Sequence, residues 1–260
     1  MNLRTGHRRP PRTIIPLPAA LILALMPLAV MTAGCRRAPA SKPTQIRYVA
    51  LGDSITAGWG ASDPAHSLTG LFAAYLKHGA PVEMVTNLGV PGLNSQGLLH
   101  QLQTQPAVRD SVRSATIITI SIGGNDLLPC VNPLEGGVDT ACADASLKSF
   151  EATWPAILHE IRDSIGSRAR LYVLNLYDVY PVFIPGQAEA DHVVRRLNAI
   201  ITNKENRSIG KYQIVDVYSA FEAGDICSLT HVCTLPPDPH PTDAGYRLMA
   251  GLLEREAKAN

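Results

Sequence analysis

Five short apolar runs, separated by longer segments, constrain the fold of this 260-residue chain more than any other feature. Each run is rich in β-branched or aromatic residues and is nearly continuously apolar, which is typical of strands buried on both faces. The runs are IRYVALG (46–52), EMVTNLGV (83–90), ATIITISIG (115–123), RLYVLNLY (170–177) and YQIVDVYS (212–219). We therefore predict a strand at each of these positions.

The segments between the runs carry apolar residues at steps of three and four, the period of a helix with one buried face. Trp154 lies on such a stripe, and we interpret it as a packing residue rather than a recognition residue. Thr242 is a suitable N-cap for the last segment. The predicted helices cover 67–78, 95–107, 145–166, 187–205 and 242–257.

This alternation of strands and helices predicts the fold class. Crossovers long enough to hold a helix join parallel strands, and a parallel sheet is covered by helices on both faces. A chain of this length can bury one sizeable core. We therefore predict a single three-layer α/β/α domain with a mostly parallel five-stranded sheet. In such sheets ligands bind beyond the carboxyl ends of the strands.

The N-terminus has the pattern of an export signal. Four arginines precede the run TIIPLPAALILALMPLAVMTAGC, which contains no acidic residue. A basic region followed by an apolar region is a secretory signal, which is cleaved or kept as an anchor and does not belong to the fold. The arginines are Arg4, Arg8, Arg9 and Arg12.

The end of this run, MTAGC, resembles a bacterial lipobox, with Thr32 where leucine is usual. We expect residues 1–34 to be a lipoprotein signal and Cys35 to be lipidated as the mature N-terminus. An uncleaved anchor helix and ordinary cleavage nearby are the alternatives. The small and polar segment 36–44 predicts a tether. The folded domain is then expected over residues 45–260.

Charge and cysteine content limit the partners. Loss of the signal leaves 19 basic and 22 acidic residues, a net charge of −3, which offers no basic patch for a nucleic acid. Export implies an oxidising compartment, in which disulfides form. Short loop closure favours Cys130–Cys142 and Cys227–Cys233 among three possible pairings. A metal site is disfavoured, because no Cys-x-x-Cys spacing occurs and only His231 lies among the cysteines.

Polar and small residues follow the predicted strands at the edge where a ligand would bind. Three strand ends and the start of the last helix supply a hydroxyl, glycine backbone, an amide and an imidazole. They are Ser54 in GDSITAG, Gly89 and Gly92 in NLGVPG, Asn125 in GGND, and Asp238 and His240 in PPDPHPTDAGY. This set is what acyl transfer requires.

Acyl transfer assigns a role to each of these groups. A serine hydroxyl is a weak nucleophile until a base takes its proton, and His240 can be that base for Ser54. The attack places negative charge on the carbonyl oxygen, which preorganised donors must stabilise. The Ser54 N–H, the Gly92 N–H and the Asn125 amide can supply those donors. Glycine also lets the backbone approach a ligand closely.

Each residue alone also has an ordinary structural interpretation. Ser54 fits a helix N-cap, and Pro91 followed by Gly92 is a turn signal. The glycines of GGND can end a strand, and His240 between two prolines can be a surface turn residue. The joint occurrence of these residues, in order and at predicted strand ends, favours the catalytic interpretation.

GDSITAG, NLGVPG, GGND and HPTDAGY together resemble the four sequence blocks of the SGNH hydrolases, also called the GDSL esterases and lipases. The resemblance covers residues 46–255 and implies a flavodoxin-like α/β/α fold, in agreement with the strand–helix pattern. It implies that Ser54 is the nucleophile and that its N–H is an oxyanion donor. Gly92 and Asn125 are then the other donors and His240 is the base. Gly89 takes the glycine role if NLGVPG aligns differently.

One position departs from the family pattern. The family usually has its acid three residues before the histidine, where this chain has Pro237; the nearest acid is Asp238. An acid fixes the imidazole tautomer and stabilises its charged form. We expect Asp238 to do so, with a backbone carbonyl of Pro237 or Leu235 as the alternative. Asp243 is expected to interact with the N-terminus of the last helix.

The sequence thus predicts an exported, lipid-anchored serine carboxylic-ester hydrolase that acts on small-molecule esters. We expect no metal or organic cofactor, no nucleic-acid partner, a monomer, and membrane attachment through the lipid. A glycan deacetylase, a lysophospholipase or a glycan acyltransferase would use the same site, and a binding module with a silent site is the alternative of another class. The expected pocket loops are 60–67, 127–144 and 179–190; within the last, 179–186 either lines an acyl site or packs.

Overall fold

A computed structural model describes residues 45–132, 137–179 and 186–259. The predicted signal over 1–34 and the predicted tether over 36–44 lie outside these residues. No helix within the described ranges is long and apolar enough to span a bilayer.

The centre of the domain is a sheet of five strands. They alternate along the chain with helices, and a short antiparallel ribbon lies outside the sheet. The strands are β1 (Ile46–Gly52), β2 (Val82–Gly89), β3 (Ile117–Ser121), β4 (Val131–Asn132) and β5 (Gly137–Val138) of the ribbon, β6 (Arg170–Leu174) and β7 (Tyr212–Val215). The sheet has the order β2-β1-β3-β6-β7 and is parallel throughout, which confirms the predicted fold class.

Helices cover both faces of the sheet. The helices are α1 (Ser54–Ala57), α2 (Leu68–Gly79), α3 (Ser95–Thr104), α4 (Pro106–Ser114), α5 (Gly124–Leu127), α6 (Thr140–His159), α7 (Gln187–Thr202), α8 (Lys204–Gly210), α9 (Val217–Glu222), α10 (Ile226–Leu229) and α11 (Asp243–Ala259). Apolar side chains of α3, α4, α6 and α7 form the core on one face. Those of α2, α9 and α11 form the core on the other.

The strand register aligns the carboxyl ends of three neighbouring strands, β2, β1 and β3. Gly52, at the end of β1, pairs with Gly89 of β2 and with Ser121 of β3. The loops after these strands therefore start at the same level of the sheet. This alignment brings the segments that carry Ser54 and Asn125 to one edge.

Two predicted helices are interrupted where a residue caps a new one. The predicted helix 95–107 ends early, and α4 starts at Pro106, because proline fits the first turn of a helix but breaks its interior. The predicted helix 187–205 also ends early, because Asn203 caps α8 through the Glu205 N–H. In contrast, α6 begins before the predicted 145, because Asp139 accepts the Cys142 N–H.

The interpretation of every strand as buried on both faces is wrong for β2. This strand lies at the edge of the sheet, and its residues alternate between half-buried and exposed. The predicted strand 212–219 is shorter than expected. It ends at Val215, because Asp216 caps α9 by accepting the Ser219 N–H at 3.1 Å.

Trp154 and the cysteines have the structural roles predicted for them. Trp154 is fully buried, stacks on Phe150, and its indole N–H donates to the Tyr212 hydroxyl at 3.3 Å. The disulfides Cys130–Cys142 and Cys227–Cys233 are both present, which is the nearest-neighbour pairing. Each one lies in a segment near the carboxyl edge of the sheet.

Candidate active site

Ser54 is the first residue of α1, directly after the turn from β1 at the carboxyl edge of the sheet. Gly52 has a φ of 135°, and a Cβ there would meet the Ser121 carbonyl oxygen at 1.9 Å, so β1 can end in this way only at glycine. Asp53 caps α1 by accepting the Ile55 N–H at 3.0 Å. The turn leaves Ser54 only 8% exposed.

His240, in the loop before α11, contacts both Ser54 and Asp238. Its Nε2 lies 2.8 Å from the Ser54 Oγ. Its Nδ1 is hydrogen-bonded to the Asp238 Oδ1, which also accepts the His240 backbone N–H at 3.0 Å. An ionised carboxylate only accepts, so Nδ1 carries the proton and Nε2 is left to accept from the Ser54 hydroxyl. The imidazole therefore presents a basic nitrogen to the serine.

Asp238 reaches the imidazole although it lies two residues before His240. Its carboxylate folds back onto the His240 backbone N–H, and the ring nitrogen meets the same oxygen. Burial raises the pKa of Asp238, but hydrogen bonds from His240 and electrostatic interactions with His240 and His231 together lower it by more. The net pKa is below its ordinary value, so the group is ionised at neutral pH. The carboxylate, rather than a carbonyl of Pro237 or Leu235, is the partner of Nδ1.

Three hydrogen-bond donors line the same cavity as Ser54 and His240: the N–H groups of Ser54 and Gly92 and the amide of Asn125. In the described part of the chain, neither backbone N–H has an acceptor. The Asn125 Nδ2 donates one proton to the Leu93 carbonyl at 3.0 Å and keeps the other. All three donors therefore have a proton available for a ligand.

Gly92 rather than Gly89 lines the cavity. The Gly89 N–H donates to the Asn87 side chain at 2.9 Å, and a Cβ at Gly89 would meet the Ala57 nitrogen at 2.3 Å. Gly89 therefore allows β2 to pack closely against α1. Gly92 has a φ of 80° and open space around its Cα, which suits a backbone that faces a ligand.

A buried carboxylate joins the loops that carry Gly92 and Asn125. Asp126 accepts the Ser95 N–H at 2.9 Å and the Ser95 hydroxyl at 2.5 Å. Burial raises the pKa of Asp126, and the two bonds from Ser95 partly oppose this. The pair fixes the start of α3 beside α5.

The histidine loop is held closed by backbone bonds to His231. The His231 N–H donates to the His240 carbonyl at 3.0 Å, and the Asp238 N–H donates to the His231 carbonyl at 3.1 Å. The His231 Nε2 is hydrogen-bonded to the Gly60 carbonyl at 2.9 Å, and Cys227–Cys233 closes the adjacent segment. These contacts give His231 a structural role.

Two tyrosines that the sequence analysis does not identify hold the His240 loop and the turn after Ser54 in place. The Tyr177 hydroxyl donates to the Pro239 carbonyl at 2.8 Å, and its ring stacks on Phe221. The Tyr246 hydroxyl donates to the Trp59 carbonyl at 2.7 Å, in the turn after Ser54. The sequence does not reveal these contacts, although Tyr246 ends the HPTDAGY block, because each partner is distant along the chain.

Asp53, next to Ser54, is a buried acceptor. It accepts the Ser121 hydroxyl at 2.8 Å and thereby joins the ends of β1 and β3. Burial raises its pKa to about 6, although hydrogen bonds from Ser121 and the backbone oppose the shift. These contacts show that Asp53 supports the turn that carries Ser54.

A cavity of about 500 Å³ opens beside Ser54. Of the predicted pocket loops, 127–144 and 179–190 contribute described residues to its wall, including Val179, whereas 60–67 contributes none. The loop 60–67 instead carries a 3₁₀ turn, Pro64–His66, that packs against α2. Residues 180–185 lie outside the described part of the chain.

One acidic cluster in the described ranges could hold a cation. Carboxylate oxygens of Asp178, Asp191 and Glu222 lie within 4.8 Å of one another. Asp191 is already bonded by Arg195 at 2.8 Å and by the Tyr218 hydroxyl. The prediction that no metal or organic cofactor takes part rests on the sequence.

A parallel α/β/α sheet with a serine, an imidazole and a carboxylate in contact beyond its strand ends is an arrangement suited to acyl transfer. The chain matches the GDSL-like lipase/acylhydrolase family over residues 50–248 and belongs to that family, which makes it a carboxylic ester hydrolase. The family membership predicted from the four sequence blocks is confirmed.

A relative and two solved structures are similar to this chain, and the solved structures share its fold. The chain is 25% identical to the spore germination lipase LipC of Bacillus licheniformis over 80% of this chain and 94% of LipC. The lipase Lip_vut3 from a goat rumen metagenome superposes with a TM-score of 0.67, at 24% identity over 81% of this chain and 97% of that one. The acetylxylan esterase Axe2 of Geobacillus stearothermophilus superposes with a TM-score of 0.55, at 17% identity over 80% of this chain and 92% of Axe2.

Proposed function

We propose that this ester hydrolase is a serine esterase in which Ser54 is the nucleophile, His240 the general base and Asp238 the group that orients the base. The observation that carries the proposal is the 2.8 Å contact between the Ser54 Oγ and the His240 Nε2. The engagement of Nδ1 by Asp238 supports it, because it leaves Nε2 free to accept a proton.

In the acylation half of the reaction, the Ser54 Oγ forms a bond to the ester carbonyl carbon while its proton moves to the His240 Nε2. The carbonyl oxygen becomes an oxyanion. The Ser54 N–H, the Gly92 N–H and the Asn125 amide stabilise it, each worth about 3–4 kcal/mol. The bond to the alcohol oxygen then breaks, and that oxygen takes the proton from Nε2.

In the deacylation half, a solvent water attacks the acyl-enzyme carbonyl and gives its proton to the His240 Nε2. The same donors stabilise the second oxyanion. The bond to the Ser54 Oγ breaks, and Oγ regains its proton from His240. The products are a carboxylic acid and the regenerated enzyme.

A fluorophosphonate probe tests the nucleophile, because it reacts only with an activated hydroxyl. The wild type is expected to be labelled, and Ser54→Ala is expected to lose labelling while keeping its thermal unfolding temperature. Ser62→Ala is the control, since Ser62 is an exposed serine that lies outside the cavity. Absence of labelling in the folded wild type would instead favour a binding module.

The N-terminal sequence supports export and attachment through a lipidated Cys35. The same probe tests this proposal in bacteria that express the full chain. The labelled protein is expected in the membrane fraction, and Cys35→Ser is expected to move it to the soluble or secreted fraction. An unchanged membrane fraction for Cys35→Ser would contradict lipidation and favour an uncleaved anchor helix.

A further inference from the structure

We infer that the acyl group of the substrate is an unbranched fatty acyl chain of medium length, bound between α5, α6 and α7. An acetyl group on a sugar would leave this space unused. The inference rests on the proposed function, since it takes Ser54 as the point of acyl attachment. It concerns the substrate class, which the catalytic groups alone do not determine.

The chemistry of the site orients the ester in the cavity. His240 must protonate the leaving alcohol oxygen, so the alcohol lies on the His240 side, beside Trp59, whose ring is 5.9 Å from the imidazole ring. The carbonyl oxygen faces Gly92 and Asn125. The acyl chain therefore continues away from His240, past Asn125 of α5 and toward α6 and α7.

The wall on that side of the cavity is aliphatic. It consists of side chains from α5, the β4–β5 ribbon, the start of α6 and the start of α7, and the ribbon strand β5 contacts α7. The disulfide Cys130–Cys142 joins the ribbon segment to α6 and so ties two sides of the wall together. The wall residues are Leu127, Val131, Val138, Ala143, Ala190 and Val193. Such a surface stabilises a methylene chain through the hydrophobic effect.

The polar side chains of the described lining, apart from the proposed catalytic groups, already have hydrogen-bond partners within the protein. A sugar ring needs unpaired donors and acceptors in the wall of its site, and these groups offer few. Ser121 is bonded to Asp53 and Thr56, and Tyr177 is bonded to Pro239. Asp178 is bonded to Gln187. Asn175 is bonded to Asp216, Val217 and Tyr218.

The volume of the cavity and the charge of its wall also favour a fatty acyl chain. The cavity volume of about 500 Å³ lies in the range of pockets that enclose ligands much larger than acetyl. No Lys or Arg side chain contributes to the described lining, so the wall offers no cation to an anionic group. An uncharged chain of medium length fits both properties.

The experiment measures kcat/KM on p-nitrophenyl esters from acetate to dodecanoate. The wild type is expected to improve about fourfold for each of the first three methylenes added to acetate, so that octanoate exceeds acetate by at least about 60-fold. Ala190→Phe places a large ring at the buried start of α7, in the space proposed for the acyl chain. It is expected to lower the octanoate-to-acetate ratio of kcat/KM at least about tenfold. Ala188→Phe is the matched control, since Ala188 is exposed on the same helix and outside the cavity.

A second variant keeps the inference testable if Ala190→Phe does not fold. Leu128 is 52% exposed and lines the cavity, so Leu128→Asp places a charge in the wall without disturbing the core. Like Ala190→Phe, it is expected to lower the octanoate-to-acetate ratio of kcat/KM. Fluorophosphonate labelling of both variants checks that Ser54 is still activated.

Two results would overturn the inference and leave the proposed function intact. One is a wild type that prefers acetate to octanoate, with activity that Ser54→Ala abolishes. The other is a ratio that Ala190→Phe and Leu128→Asp leave unchanged in folded, labelled protein. In contrast, ester hydrolysis that survives in Ser54→Ala would contradict the proposed function itself.

Discussion

Replacing Asp238 with alanine is expected to lower kcat by about 10³- to 10⁴-fold, with little change in KM. The variant loses the acceptor that holds the proton on the His240 Nδ1. The ring can then adopt the other tautomer, in which Nε2 is protonated and cannot accept from Ser54. The imidazolium that forms during acylation also loses its counter-charge. Steady-state kinetics on a p-nitrophenyl ester measures both parameters.

The control for this prediction removes a nearby carboxylate that does not touch the imidazole. Asp243, in the first turn of α11, accepts the Ser62 N–H at 2.9 Å and its hydroxyl at 2.7 Å. Asp243→Ala is therefore expected to change kcat by less than about threefold. Since the pKa of Asp238 lies below its ordinary value, its carboxylate is ionised from about pH 6 to pH 8. The loss in Asp238→Ala is expected to be equal at both ends of that range.

A loss of less than tenfold in Asp238→Ala would show that another group orients the ring. The backbone carbonyls of Pro237 and Leu235 are the sequence-based alternatives for that role. Asp238→Asn separates orientation from charge, because its side-chain oxygen can still accept the His240 N–H. We expect Asp238→Asn to fold normally and to lose most of its activity, since an amide can also stabilise the wrong tautomer.

The sequence predicts the sheet because its strands are apolar on both faces, and it errs where position in the sheet decides burial. β2 has the composition of a central strand but lies at the edge, with Val85 40% exposed. Strand order depends on contacts between distant segments and is not encoded in the run itself. Local capping is easier to predict, as Thr242 shows: its hydroxyl accepts the Gly245 N–H at the start of α11.

The sequence predicts those residues of the site that directly follow strands. Ser54 and Asn125 follow strands that the structure aligns, so their meeting follows from a parallel sheet. The residues that hold these groups in place cannot be predicted in this way. The bond of Tyr177 to Pro239, and that of Ser95 to Asp126, join residues far apart in the chain with ordinary local sequences. Only the three-dimensional arrangement identifies them.

Replacing Asn125 with alanine is expected to lower kcat by about 10²- to 10³-fold while KM changes by less than about threefold. The reason is that a donor aimed at the oxyanion gains most of its strength when the charge develops. It contributes little to the bound ester, in which the carbonyl oxygen is nearly neutral. Kinetics on a medium-chain p-nitrophenyl ester separates the two parameters, because an equal fall in kcat and kcat/KM marks an interaction made only in the transition state.

The neighbouring amide Asn94 provides the control, because Asn125 also donates to the Leu93 carbonyl and could act by holding that loop. Asn94 caps α3 through the Gly97 N–H at 2.9 Å. Asn94→Ala loosens the same loop without removing the proposed donor, and a change in kcat below about fivefold is expected. Comparable losses in both variants would mean that Asn125 acts by positioning Gly92. A rise in KM with kcat preserved in Asn125→Ala would mean that Asn125 binds the ground state, and the oxyanion role would fall to the two backbone N–H groups.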